Sequence, residues 1–125
     1  MAARDEAVQQ ENSFIVTIKC EVTSSTGQFE ELITKEFIAA LRNQRGYLGA
    51  MLWKSPTSQI TGLENDESSV AMHYYQLSLK FVDQQSQLDW VGTEVHTTLW
   101  AKVRALASSV TADKYQTIAL DDDWN

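Results

Sequence analysis

Any chemistry in this chain has to come from a small set of side chains. It has two histidines, His73 and His96, one cysteine, Cys20, and a concentration of amphipathic aromatics that includes Trp53, Tyr74, Tyr75, Trp90 and Trp100. His73 and Tyr75 are two residues apart and share one face of a strand. His96 and Trp100 are four apart and share one face of a helix. Trp53 is expected to join the His73 layer from a neighbouring strand. An imidazole or phenol among rings in a dry pocket works as a base or a hydrogen-bond donor with a shifted pKa. An apolar pocket with a few polar handles is the usual form of a small-molecule site. The candidate catalytic residues are therefore His96, His73 and Tyr75, and the candidate substrate-binding walls are Trp53, Trp90 and Tyr74. Against this stands plain core packing, with polar tips satisfied by backbone. That reading is the stronger one for Trp53, Tyr74 and Trp100, and the two readings are even for His73, Tyr75, Trp90 and His96.

Several chemistries lack their residues. No G-x-G-x-x-G, no G-x-x-x-x-G-K-[ST] and no G-x-S-x-G is present. A single cysteine rules out an internal disulfide, a thiolate zinc site and an iron–sulfur cluster within one chain. An iron site of two histidines and a carboxylate would need both His73 and His96, whose spacing is not ligand-like, so no metal site is expected. Cys20 sits inside an apolar strand pattern with nothing nearby to lower its pKa, so a buried reduced thiol is expected rather than a nucleophile. That thiol suits the cytoplasm.

Composition narrows the partners. The chain has 125 residues, 43% apolar and 22% charged, enough for one domain that folds without staples. Ten basic against seventeen acidic residues give a net charge of −7, which disfavours phosphate backbones and anionic lipid. Neither nucleic acid nor membrane is expected as a partner. The first ten residues lack the apolar stretch of a secretory signal, and no window is long and apolar enough to span a bilayer.

The elements that must position these groups follow from periodicity. Residues 1–12 read as a loose arm, 13–120 as the single domain and 121–125 as an acidic tail. Residues 14–22 alternate as a strand, with Phe14, Val16, Ile18, Cys20 and Val22 on one face. Phe29, Leu32, Ile33, Phe37, Ala40 and Leu41 recur at helical spacing, and Gly46 suits the helix's C-terminal cap. Strands are expected at 47–54 and 70–77, with a turn around Pro56 and a loop over 61–69. Asp83 or Ser86 opens a second helical region. Leu88, Trp90 and Val91 mark its first part, and Val95, Leu99, Val103, Leu106 and Val110 its second, with a break at Gly92. Residues 113–120 give a last strand. The order strand-helix-strand-strand-helix-strand predicts an α+β, ferredoxin-like βαββαβ sandwich: a four-stranded antiparallel sheet with both helices on one face. Leu48, Ala50 and Leu52 are expected opposite Tyr47, Met51 and Trp53, and Met72 and Tyr74 opposite His73, Tyr75 and Leu77. Both sheet faces then look apolar or aromatic, and the economical cover for the second face is another copy of the chain, packed sheet to sheet in a homodimer.

With that order on the page, the segment Asn43-Gln44-Arg45-Gly46-Tyr47-Leu48-Gly49 and the segment Leu88-Asp89-Trp90-Val91-Gly92-Thr93-Glu94-Val95-His96 resemble the antibiotic biosynthesis monooxygenase family. The family carries a Gly-x-x-Gly-like step after the first helix, and a tryptophan followed six residues later by a histidine near the start of the last helix. The resemblance runs over about residues 14–120. It implies a dimeric α+β barrel and a cofactor-independent oxygenase acting on an electron-rich, polycyclic hydroxyarene of polyketide type, with O2 as co-substrate. Deprotonation would make a carbanion or phenolate that itself reduces O2, and the protein would supply a base, hydrogen bonds to the developing oxyanion and a dry cavity. Trp90 and His96 match the family's helix signature; His73, Tyr75 and Trp53 come from the residue reading alone. Arg45 stands where the family usually has proline. Heme-degrading relatives carry an asparagine in the first strand, and residues 14–22 contain none. The superfamily also holds polyketide cyclases, which work without oxygen, and barrels with no known catalysis.

Overall fold

The computed structural model describes residues 13–55, 59–61 and 70–118; the expected arm at 1–12, acidic tail at 121–125 and most of the turn and loop at 56–69 lie outside the described residues. Strand β1 is Phe14–Val22. Helix α1 follows in three stretches, Thr26–Glu31, a wider π-helical Leu32–Phe37 and Ile38–Leu41. Then come β2 (Tyr47–Lys54), a short β3 (Gln59–Thr61) and the long β4 (Val70–Phe81). Helices α2 (Gln84–Val91) and α3 (Glu94–Leu106) and strand β5 (Ser109–Gln116) complete the chain. The main sheet runs β2-β4-β1-β5, antiparallel throughout, with β3 paired to β4. This is the expected ferredoxin-like α+β fold.

The core lies between sheet and helices. Alternation on β1 buries Val16, Ile18, Cys20 and Val22, and on β4 it buries Tyr75, Leu77, Leu79 and Phe81. From α1 come Phe29, Ile33, Phe37 and Leu41, each four residues after the last. Four residues of α-helix overshoot a full circle by about 40°, so such a row drifts off its face. The wider turn at Leu32–Phe37 takes up that drift and keeps Ile33 and Phe37 on the sheet. Each large side chain buried this way contributes about 1.5–3 kcal/mol.

Caps fix the second half of the chain. Asp83 accepts the Ser86 N–H at 2.8 Å and starts α2. Gly92 ends it, and Thr93 starts α3 by accepting the His96 N–H at 3.1 Å. Gly46, with φ +82°, turns the chain out of α1, and any Cβ there would collide with the Ser86 side chain. Glycine at this position therefore lets α2 settle against the turn before β2.

Several sequence expectations shift. A bulge between Tyr47 and Gly49 changes parity, so Tyr47 packs inward on Phe81 and Leu48 is exposed; Ala50 and Leu52 face the core as expected. Strand β4 runs to Phe81 because Leu79 and Phe81 continue its alternation. Helix α3 stops at Leu106, and Val110 pairs with Cys20 in β5, which begins earlier than residue 113. An apolar residue at 110 fits both the helix and the strand period. Leu88 and Val95, expected on buried stripes, are exposed. Thr61, expected in a loop, belongs to β3. Among the described residues no helix is long and apolar enough to cross a membrane.

Candidate functional site

Helix α3 presents His96 in its first turn, between two indoles. The imidazole meets Trp90 edge-on at 5.2 Å and stacks on Trp100 at 5.9 Å, 12° from parallel. Trp90 is 2% exposed and meets Phe37 edge-on at 5.6 Å, so its orientation is set by the core. These rings line a cavity of about 190 Å3 between the sheet and the helices. Its floor includes Val16, Ile18, Leu79 and Phe81, and its far wall is Ala112 and Lys114 of β5. Ala112, Lys114 and Gln116 take the helix-facing positions of β5 and are exposed, so the helices leave this edge of the sheet open and the cavity reaches the surface there. Among the described residues Lys114 is the one cation in its lining.

Burial among the rings lowers the pKa of His96 below its usual value of 6.5. The positive end of α3 acts in the same direction on a charged group in its first turn. The imidazole is therefore neutral at neutral pH and able to take a proton. Gln87 of α2 also lines the cavity, is 4% exposed, and its Oε1 has no hydrogen-bond partner among the described residues.

The other two candidate catalytic residues lie elsewhere. Tyr75, 3% exposed, donates to Glu30 Oε2 of α1 at 2.6 Å, and Lys54 reaches the same oxygen at 3.4 Å. Hydrogen bonding from Tyr75 chiefly holds the Glu30 carboxyl below its usual range, with further help from Lys54 and from the charge of His73. Burial, then Glu30, pushes the Tyr75 phenol well up. Beside Tyr75 the described residues enclose an apolar gap of about 10 Å3, room for one water at most. Phe37, Ile18 and Trp100 line both spaces and stand between them. His73 and Tyr75 do share a strand face, as expected, but Tyr75 bonds Glu30 and neither residue lines the His96 cavity.

Trp53 and Tyr74 are on the far side of the sheet. Trp53 pairs with Gln76, not with Tyr75, and is 41% exposed. The expectation that it shares the His73 layer is therefore corrected: β2 places Lys54, not Trp53, opposite Tyr75. Tyr74 alternates with His73 and Tyr75 and faces the same outer side. Cys20 is buried, and burial raises its thiol pKa to about 11, which suits an inert core residue. No group of three or more His, Cys, Asp or Glu side chains comes together among the described residues in a way that would hold a metal.

Gln87, Phe37, Ala112 and Lys114 are cavity residues that motif reasoning passed over. Gln87 had a signal: it precedes Trp90 and Val91 by three and four residues, so it is an amide in the stripe those two define.

The fold and cavity define a ferredoxin-like α+β domain with an aromatic-walled hollow between its layers. Solved structures of that class are similar to this chain. One is SnoaB from Streptomyces nogalater, a cofactor-independent oxygenase, at 12% identity and TM-score 0.62 over 83% of this chain and 91% of that one. A second is a putative antibiotic biosynthesis monooxygenase from Bacillus cereus, at 14% identity and TM-score 0.57 over 88% and 97%. A third is the hydroxynitrile lyase from Passiflora edulis, at 7% identity and TM-score 0.64 over 90% and 96%. At these identities the likeness is one of fold. No family model matches the chain, and no curated protein matches it in sequence.

Proposed function

We propose that this chain is a member of the antibiotic biosynthesis monooxygenase family and a cofactor-independent monooxygenase of an electron-rich hydroxyarene. The observation that carries this reading is the neutral His96 between Trp90 and Trp100 at the wall of a cavity that reaches the surface. A cavity lined by these rings suits a flat aromatic beside His96. His96 takes the acidic proton at the reacting carbon, and Lys114 at the rim favours the resulting anion. The electron-rich ring then reduces O2. The resulting hydroperoxide loses water, so substrate plus O2 gives a quinone plus H2O, and His96 returns its proton to the departing hydroxide. Electrons come only from the substrate, and the indole walls keep water from the carbanion.

The outer sheet face supports a homodimer as the working form: Met51, Trp53 and Tyr115 are 51%, 41% and 54% exposed there. The reduced thiol of Cys20 suits a cytoplasmic setting.

The test is oxygen uptake by the purified chain with hydroxynaphthalenes and anthrones, with chelator present and no flavin, metal or nicotinamide added. Uptake above autoxidation that is lost in His96→Ala supports the reading. The lyase among the structural neighbours favours a second, non-oxidative reading, a cyclase- or lyase-type reaction in the same cavity. Turnover that persists under strict anaerobiosis selects that one, and no turnover of any hydroxyarene in air or under nitrogen sinks both and leaves a ligand-binding barrel.

A further inference from the structure

The cavity contains a group that the acid–base reading does not use. Gln87 sits in the first turn of α2, held there by the Asp83 cap and by the close approach that Gly46 permits. Its side chain is almost wholly buried, yet its Oε1 has no hydrogen-bond partner among the described residues. A buried carbonyl oxygen without a donor disfavours folding, and an apolar residue of similar size in that stripe would avoid the loss. Gln87 also lines the same cavity as His96, Trp90 and Lys114. An amide kept at such a place is explained by a donor that arrives with the ligand.

Size narrows that ligand. The cavity, about 190 Å3, is below the roughly 300–1,000 Å3 of sites for drug-sized molecules. A one- or two-ring substrate suits that volume, and a larger polycycle, of the kind the family resemblance implies, would extend out through the open edge at β5. We infer that Gln87 is the specificity-determining residue of this cavity, its amide oxygen accepting a hydrogen bond from a hydroxyl group of a one- or two-ring hydroxyarene. This rests on the reading of the cavity as the substrate site. Gln87 positions the ring by its hydroxyl and presents the reacting carbon to the His96 side; it takes no proton itself.

The experiment is titration calorimetry of the full chain under nitrogen, so that no oxidation intervenes, with 2-naphthol and naphthalene as probes. They share a ring system and differ by the hydroxyl. The wild-type chain is expected to prefer 2-naphthol by about tenfold or more. In Gln87→Leu the preference should fall to near unity, naphthalene should bind at least as tightly as before, and the thermal midpoint should hold or rise. Gln87→Met keeps the length of the side chain and serves if the leucine variant does not fold. A tenfold preference that survives in both variants overturns the inference, because the hydroxyl is then read elsewhere or the amide merely holds a water, while the cavity reading stands. No binding of either probe to the wild-type chain overturns the inference and the cavity reading together.

Discussion

Around Tyr75 the polar groups answer one another. The phenol donates to Glu30, Lys54 reaches the same carboxylate, and the Lys54 ammonium lies 5.5 Å from the Tyr75 ring centre. The adjoining space is about 10 Å3. Around His96 the opposite holds: an imidazole kept neutral and an amide oxygen with no partner among the described residues border about 190 Å3. Both clusters lie in the same layer, and Phe37, Ile18 and Trp100 wall one from the other. The first ties α1 to the end of β2 and the middle of β4. The second leaves hydrogen-bonding capacity unspent beside an opening. Residue type alone does not separate these roles, since each cluster has a histidine or a tyrosine among rings; what separates them is whether the polar atoms are already satisfied.

The largest effect that would sharpen this contrast is expected at Trp90. It is both cavity wall and core, so Trp90→Ala should cost about 3–5 kcal/mol in urea denaturation, as aromatic truncations in well-packed cores do. Trp53, the exposed tryptophan on the outer sheet face, is the internal comparison. Trp53→Ala should leave monomer unfolding within about 0.5 kcal/mol and show its effect in sedimentation instead, as weaker self-association. Equal losses in the two variants would break the distinction between wall and outer face.

Next is Tyr75→Phe, which removes the donor to Glu30 and leaves the ring in place. The carboxylate is about half exposed and keeps Lys54, so the loss should be about 1 kcal/mol rather than the larger value of a fully buried charged pair. Oxygen uptake and 2-naphthol binding should not change. A loss of turnover with stability intact would move Tyr75 from tie to site and undo the separation of the two clusters.

Much of this was legible in the sequence, and the reasons differ by element. Strand β1 and the spacing of His96 and Trp100 rest on strict periods of two and four residues, which locate faces without knowledge of the fold. The layer of Trp53 did not follow in the same way, because it depends on the register between β2 and β4, and a one-residue difference in pairing moves a side chain to the other face. Tyr47 and Leu48 went astray through a bulge that no residue type announces. Gln87 is a different case. Its place in the stripe was readable, but that it lacks a partner depends on everything packed around it. Glu30, 45 residues from Tyr75, was invisible as its partner for the same reason.

The smallest effect is the response to acid, and its sign follows from His96. Burial puts the pKa of the folded imidazole below the ordinary 6.5 of an exposed one. Between those two values the unfolded chain binds a proton that the folded chain refuses, so acidification favours unfolding. Stability from this group is complete above about pH 7, falls as the pH drops through 6.5 towards the folded pKa, and is level below it. Glu30 and Asp83, whose carboxyl pKa values are lowered, lose their contributions only in the acid range below ordinary carboxylates, so the two windows separate. His96→Phe should therefore flatten the upper window and leave the lower one unchanged, as read from urea midpoints between about pH 2 and pH 8. Tyr75→Phe should do the reverse, because Glu30 would lose the hydrogen bond that chiefly lowers its pKa. If both substitutions altered the same window, the two clusters would be electrostatically one, and the wall of Phe37, Ile18 and Trp100 would not insulate them.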